Sequence, residues 1–361
     1  MIYKWGELIS LEYGKPIRDK EKTNGKYPVY GTNGQIGTSD LSPLCNQPSF
    51  ILGRKGAYRG VHYSAVPFSV IDTAFYAINL HPELLCIKWA YYKFLTYDIN
   101  SMDSGSAIPS TDRYAIYAIE VDLPDVDRQR REVRLLECLD NMIINSSKIN
   151  DHLQQQAAAL FANFYDHAET EVDFTEIIQI LGGGTPKTSE SSYWNGNVPF
   201  FTPKDVGSPY TLTTEKTITE EGLAHCNSRL YPVNTVFVTA RGTVGKVGLS
   251  GVPMAMNQSC YALVGKDTHP LLVYFYTLKA VDRLKHKASG AVFDAITTRD
   301  FESEIIMKLS DDDAKDFLDV AEPIYQAILS NSFENLRLAA LRDSLLPKLM
   351  SGEIDVSSIP L

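Results

Sequence analysis

Residues 54–78 read RKGAYRGVHYSAVPFSVIDTAFYAI, and residues 240–264 read ARGTVGKVGLSGVPMAMNQSCYALV. The two stretches align without a gap at an offset of 186, which places Gly56 on Gly242, Val61 on Val247, Ser64 on Ser250, Val66-Pro67 on Val252-Pro253 and Phe75 on Tyr261. Upstream, WGELISLEYGKP (5–16) resembles FTEIIQILGGGTP (174–186), and Ser104-Gly105 and Ser289-Gly290 stand at nearly the same spacing. Several matches in register at one offset identify an internal duplication. A chain of 361 residues also suits two domains, at roughly 100–200 residues each.

The duplication continues into two helical segments. After LPDVDRQRR the chain runs to His167 without a glycine or proline, the pattern of one long helix. Its apolar seam runs Leu136, Leu139, Ile143, Ser146, Asn150, Leu153, Ala157, Leu160, Phe164, stepping three and four alternately as a heptad a/d seam does. Adding 185 gives Ala321, Ile324, Ile328, Asn331, Asn335, Leu338, Arg342, Leu345, Leu349. Both seams turn polar at the middle, at Ser146 with Asn150 and at Asn331 with Asn335. Paired polar positions point to two helices packed on each other, with an Asn150–Asn335 layer setting register; the alternative is two amphipathic helices, each on its own domain. Pro323 should lie near the start of the second helix or kink it, and Arg342 breaks the seam. The expected boundaries are a module at 1–122, a helix at 123–168, a second module at 169–308, and a helix with tail at 309–361.

Inside each module the apolar runs are short and β-rich (PSFILG, FSVIDTAFYAI, NVPFFTP, NTVFVTA, QSCYALV), separated by Gly, Asn and Pro. Helical stretches stand near 87–99 and 270–287. The expected fold class is α+β, with two similar modules. The composition, 44% apolar and 22% charged, excludes a disordered or fibrous chain. Five scattered cysteines without a Cys-x-x-Cys pair fit a reducing cytoplasm and argue against a zinc ribbon or disulfide framework. No run approaches 18 apolar residues, so no membrane span is expected, and Glu7 interrupts what a signal peptide would need as its apolar core. The excess of acid lies at the C-terminal end: residues 1–122 carry 12 basic and 12 acidic groups, 169–308 carry 13 and 15, and 309–361 carry 4 and 10. Near-neutral modules would bind DNA weakly alone, because non-specific affinity comes from counterion release. A partner would add grip.

The sequence carries no recognisable catalytic apparatus. LGGGTPKT (181–188) lacks the glycine before its lysine that a phosphate-binding P-loop requires. The seven histidines are dispersed, and His225-Cys226, as neighbours, cannot face one metal from a strand. The nearest string to an Asn-Pro-Pro-Tyr methyltransferase loop is Asn197-Val198-Pro199-Phe200, which lacks the first proline. The only Asp/Glu-x-Lys of a metal-dependent nuclease is Asp313-Ala314-Lys315, at a helix start. No catalytic residue and no metal site are expected.

The strings GGGTPKTSESSYWNGNVPFFTPKDVG (182–207), YPVYGTNGQIG (27–37), TARGTVGKVG (239–248), LLPKLMSGEI (345–354) and LPDVDRQRREVRLLECLD (123–140) together resemble the specificity (S) subunits of type I restriction–modification systems. The first module departs by lacking the Gly-Thr-Pro and Tyr-Trp-x-Gly strings of the second. The resemblance implies two target recognition domains, each reading half of a split, asymmetric DNA sequence, on an antiparallel coiled coil with pseudo-two-fold symmetry. It further implies partners: double-stranded DNA, two methyltransferase (M) subunits and restriction (R) subunits. S-adenosylmethionine, ATP and Mg²⁺ are then expected on those partners and no cofactor on this chain. A structural adaptor whose coiled coil carries two non-DNA binding modules is the competing reading.

Residue type and position select the candidate contacts. In the second module these are Thr202, Lys204 and Asp205, after an apolar run, and Arg241 with Thr243 around a glycine turn. In the first, Lys55, Tyr58 and Arg59 occupy the matching loop, with Thr32 and Asn33 in another glycine turn. Arginine and lysine can hold guanine bidentately, and threonine or aspartate can reach exocyclic amines. The competing assignments are a phosphate contact or plain surface for Arg241, and packing for Tyr58 and Trp194. Ser146, Asn150, Asn331 and Asn335 are the expected helix-pair register residues.

Overall fold

The computed structural model describes residues 1–17, 24–102, 109–287 and 295–356. Ser104-Gly105 and Ser289-Gly290 lie outside these residues. The chain divides into two compact units, Met1–Ile143 with Leu338–Leu361, and Ile144–Arg337.

In the first unit the order is β1 (Ile2–Lys4), α1 (Trp5–Leu8), β2 (Ile9–Tyr13), β3 (Tyr27–Gly31), β4 (Gly34–Ser39), β5 (Ser49–Gly53), β6 (Val61–Ser64), β7 (Ser69–Val70), β8 (Ala74–Asn79), α2 (Ile87–Phe94), α3 (Arg113–Ala118), β9 (Glu120–Asp122) and the start of α4 (Val126–His167). The main sheet is ordered β2-β8-β5-β6; a smaller one is β4-β3-β7, and β1 pairs with β9. β5 reads SFILG and is buried at every position, as a run of bulky residues in the sheet interior should be. Trp5, Phe50, Phe75, Trp89 and Phe94 form the core with Leu136, Leu346 and Leu349 of the long helices.

The second unit repeats this order with the strand Tyr210–Thr211 and the helix Glu220–Ala224 added. It contains β10 (Thr170–Asp173), α5 (Phe174–Ile177), β11 (Ile178–Gly182), β12 (Trp194–Phe201), β13 (Tyr210–Thr211), β14 (Lys216–Ile218), α6 (Glu220–Ala224), β15 (Val236–Thr239), β16 (Val247–Ser250), β17 (Ala255–Met256), β18 (Cys260–Gly265), α7 (Pro270–Lys287), α8 (Thr298–Glu302), β19 (Ile305–Lys308) and α9 (Asp311–Ser351), the last running on into the first unit. Its sheets are β11-β18-β15-β16-β13, β14-β12-β17 and β10-β19. Strand for strand, β2-β8-β5-β6 has become β11-β18-β15-β16, and the parallel β3–β7 pair has become β12–β17. The duplication in sequence is therefore a duplication of topology, and the fold is α+β.

The long helices start alike. Asp125 Oδ1 accepts the Arg128 amide at 2.9 Å before α4, and Ser310 Oγ accepts the Asp313 amide at 3.1 Å before α9. Each side chain satisfies a donor that the first helical turn leaves unpaired. Within the second unit the two helices run antiparallel. Phe161 meets Phe317 with ring centroids 5.3 Å apart, while further along Asn331 Nδ2 donates to Asn150 Oδ1 at 2.8 Å. Asn150 also donates to the Ile328 carbonyl and Ser332 Oγ, both at 3.4 Å.

Four expectations are corrected. The polar layer joins Asn150 to Asn331 rather than to Asn335, and Asn335 donates to Ser147 Oγ at 3.3 Å instead. An antiparallel pair brings the early position of one seam against the late position of the other, and equal heptad phase does not reveal this. Ser146 is only half-buried. Pro323 lies well inside α9 rather than near its start, and is exposed. Phe161 and Tyr165, each one step off the seam, are more deeply buried than Leu160 and Phe164, because α7 packs there with Phe275 stacked on Phe161 at 4.8 Å. Arg342 is accounted for within the first unit: its Nη1 donates to Asp140 Oδ1 at 2.9 Å, and Asp140 Oδ2 accepts from the Tyr92 hydroxyl at 2.6 Å.

Candidate DNA interface

In the second unit two turns are tied together by their backbones. After β15, the Thr239 amide donates to the Lys246 carbonyl at 3.0 Å and the Gly245 amide to the Thr239 carbonyl at 2.9 Å, closing the turn 240–245. Thr239 Oγ1 donates to the Thr243 carbonyl inside it. Gly242 has φ +82°, a left-handed conformation that a β-carbon disfavours. Arg241, just before it, is exposed, and no described residue pairs with its guanidinium; its backbone forms an antiparallel bridge with Ala295. Thr243 Oγ1 donates to the Pro203 carbonyl at 3.2 Å, joining this turn to 202–205.

Turn 202–205 is organised by Asp205. Its Oδ2 accepts from the Thr202 amide at 2.8 Å and the Thr202 hydroxyl at 2.6 Å, and its Oδ1 from the Glu215 amide at 2.8 Å. Thr202 and Asp205 thus fix the loop, and Lys204, whose ammonium lies 3.7 Å from Glu215, is the group presented to solvent. Trp194 is half-buried and packs edge-on against Phe200 at 5.6 Å, at the margin of the small core formed with Val198, Ile218 and Ala255.

The first unit builds the same pair of turns from different residues. Lys55 precedes Gly56, whose φ is +120°, and bridges backbone to Ser110 as Arg241 does to Ala295. Thr32 Oγ1 donates to the Lys55 carbonyl at 2.9 Å and the Thr73 carbonyl at 2.7 Å, holding the loops together. Lys55 Nζ is 3.6 Å from Asp72. Asn33 is exposed, and Tyr58 is 66% exposed. Arg59 departs from its expected surface place. It is 2% exposed, its amide donates to Asn100 Oδ1 at 2.8 Å and its Nη2 to the Asn100 carbonyl at 2.6 Å. The chain turns Arg59 inward after Tyr58, so the cationic position facing outward is Lys55.

Sequence reasoning passed over His62, whose Nε2 lies 3.3 Å from the Thr32 carbonyl and whose imidazole burial holds below the ordinary histidine value. It also passed over Arg54 and Arg113. Arg113 could have been found, since the offset of 186 places it on Arg299.

Comparison with known proteins matches this duplicated architecture. The sequence model for the type I restriction modification DNA specificity domain matches residues 1–155 and again residues 169–308. The chain belongs to this family. Among curated proteins it is 32% identical over 124 residues to the specificity subunit of the type I restriction enzyme MjaIX of Methanocaldococcus jannaschii, covering 33% of this chain and 29% of that one. It is 29% identical over 185 residues to the HindI specificity subunit of Haemophilus influenzae, covering 50% and 40%. The matches therefore span less than half the length of these relatives. Among solved structures, the S subunit of a type I restriction–modification system from M. genitalium superposes with a TM-score of 0.61 over 97% of this chain and 95% of that one, at 14% identity, which establishes the shared fold.

Within the specificity-domain fold, each unit presents one cation ahead of a left-handed glycine, beside a loop anchored by threonine. Such a turn can offer a planar or ammonium donor to a base edge or phosphate. Among the described residues no three His, Cys, Asp or Glu converge on a point that could hold a metal ion, and no helix is long and apolar enough to cross a membrane.

Proposed function

We propose that this chain is the sequence-specific DNA-recognition subunit of a type I restriction–modification complex, reading a bipartite, asymmetric target. Residues 1–122 and 169–308 are the two readers, and the helical segments 123–168 and 309–361 carry two methyltransferase subunits and, through them, restriction subunits. The chain itself is non-catalytic. S-adenosylmethionine belongs to the methyltransferase partners, and ATP and Mg²⁺ to the restriction machinery. A methyltransferase cannot reach an atom inside a duplex, so the base would be flipped out by the partner, while this chain fixes which base that is. The observation that carries the reading is the duplicated turn, Lys55-Gly56 and Arg241-Gly242, each beside its threonine-anchored loop. Duplicate readers of near-zero net charge suit half-sites whose phosphates are gripped partly by partners. The adaptor reading gives no reason for a free arginine and a lysine at equivalent tips.

The test is methylation-sensitive sequencing of a host carrying the chain with its partner genes. Replacing residues 169–308 with the corresponding module of a relative should change one half of the methylated motif and leave the other intact. A motif altered in both halves, or in neither, overturns the two-reader assignment.

A further inference from the structure

Beside Lys55 the first unit carries a band of stacked cations and rings. Arg54 donates from Nη1 to the Asp72 carbonyl at 2.9 Å, and Lys55 approaches the Asp72 carboxylate at 3.6 Å, so both flank one residue. The Arg54 guanidinium lies 4.7 Å from the Tyr13 ring centroid, and the Arg113 guanidinium 4.9 Å from the same ring. Arg113 lies 5.1 Å from the Tyr114 ring, and its Nη2 donates to the Tyr114 hydroxyl at 3.2 Å. Tyr13 and Tyr114 are both exposed. No carboxylate of the described residues forms an ion pair with Arg54 or Arg113, and Arg113 Nε is buried without a partner. The band thus holds three cations against one aspartate.

Stacking restrains each guanidinium. Arg54 commits one Nη1 donor to the Asp72 carbonyl, and Arg113 commits one Nη1 donor to the Leu11 carbonyl at 3.4 Å and one Nη2 donor to the Tyr114 hydroxyl. Each therefore retains further terminal N–H donors. That geometry matches the bidentate recognition of phosphate. Among the described residues the second unit has no such band. The residue facing Tyr261 across the sheet, as Tyr13 faces Phe75, is Gly182, with nothing within 4 Å of where a β-carbon would stand. At the offset of 186, Arg54 becomes Ala240, Asp72 becomes Gln258 and Tyr114 becomes Asp300, leaving only Arg299 opposite Arg113.

We propose that Arg54 and Arg113, stacked on Tyr13 and Tyr114, clamp the DNA backbone beside the half-site read by the first module, and that the second module lacks this clamp. The two half-sites are then gripped unequally. This inference rests on the DNA-recognition reading above.

The full chain, assembled with its methyltransferase subunits, is titrated by fluorescence anisotropy onto a labelled duplex carrying the motif its host methylates, at several NaCl concentrations. Losing two phosphate contacts in the Arg54→Gln/Arg113→Gln variant should lower the slope of log K against log salt by about 2, at roughly 0.9 per phosphate, with the methylated motif unchanged. Arg113→Gln alone should lower it by about 1. Arg54→Lys/Arg113→Lys, which keeps charge without the fork, should bind more weakly with the slope retained. With the unaltered protein, phosphate ethylation should interfere at more positions beside one half-site than beside the other. A folded, assembled double variant with the parental slope, or equal ethylation patterns at both half-sites, would overturn the clamp and leave the recognition reading intact. An unaltered complex that does not bind the duplex would overturn both.

Discussion

Lys55 and Arg241 occupy equivalent places, each followed by a glycine at positive φ and each bridged to the segment that leads into α3 or α8. Arg241 has the more open surroundings, since Lys55 is partly offset by Asp72. Arg241→Ala should therefore weaken binding by roughly 1–3 kcal/mol and relax one base position, as loss of a bidentate guanine contact does. Binding measured on duplexes varied one base pair at a time checks this. Uniform weakening with a salt slope lower by about 1 would assign Arg241 to phosphate instead. The cysteines give a second prediction. Burial pushes the Cys45 thiol up and the Cys260 thiol to about 12, while Cys138 on α4 is exposed. The thiolate is the reactive form, so brief alkylation of the folded chain at neutral pH should modify Cys138 and spare Cys45 and Cys260 until denaturant is added. Mass spectrometry of the digested chain reads this directly; early labelling of Cys260 would contradict its buried place at the start of β18, paired with Thr239 of β15.

At the scale of elements, the long helices combine a legible pattern with an illegible register. The seam Leu136, Leu139, Ala157 and its partners Ala321, Ile328, Leu338, Leu349 are buried, as heptad periodicity requires. What periodicity does not specify is which asparagine meets which. Asn150 is 6% exposed and takes its 2.8 Å hydrogen bond from Asn331. Asn331→Ala leaves the Asn150 carbonyl unpaired and should destabilise the chain by about 1–3 kcal/mol. Asn150→Leu with Asn331→Leu removes both partners and should recover most of that loss, while relaxing the register that a buried amide pair imposes. Urea denaturation of the two variants distinguishes these outcomes, and a silent Asn331→Ala would remove the pair from the stability of the helices.

For the whole molecule, the length of α4 and α9, 42 and 41 residues, corresponds to about 60 Å at roughly 1.5 Å per residue. Under the proposed function, this length sets how many unread bases separate the half-sites. Deleting one heptad from each helix, in phase and with the Asn150–Asn331 pair kept, shortens them by about 10 Å. The preferred spacer should then shrink by about three base pairs at roughly 3.4 Å each, with both half-sites unchanged in sequence. Methylome sequencing of a host carrying the shortened chain measures this; an unchanged spacer in an assembled variant would show that the helices are not the ruler.

The duplication, the α+β class and the two long helices were legible in the sequence because each is written locally. Self-similarity needs only alignment at one offset, and burial on a helix face needs only a period of three and four. Lys55 and Arg241 were legible for the same reason, as cations ahead of a glycine in matching turns. Arg59 was not, since whether a loop arginine points out or is held inward by Asn100 depends on a residue 41 positions away. The same holds for Arg342, a fault in the seam until Asp140 and Tyr92 are brought to it. The Arg54–Tyr13–Arg113–Tyr114 band draws on four residues of three separate segments. Only the sheet, which sets Tyr13 beside Phe75 and brings α3 against β2, makes them one surface. Local pattern fixes what each element is; the packing between distant segments decides which of its side chains are left to act.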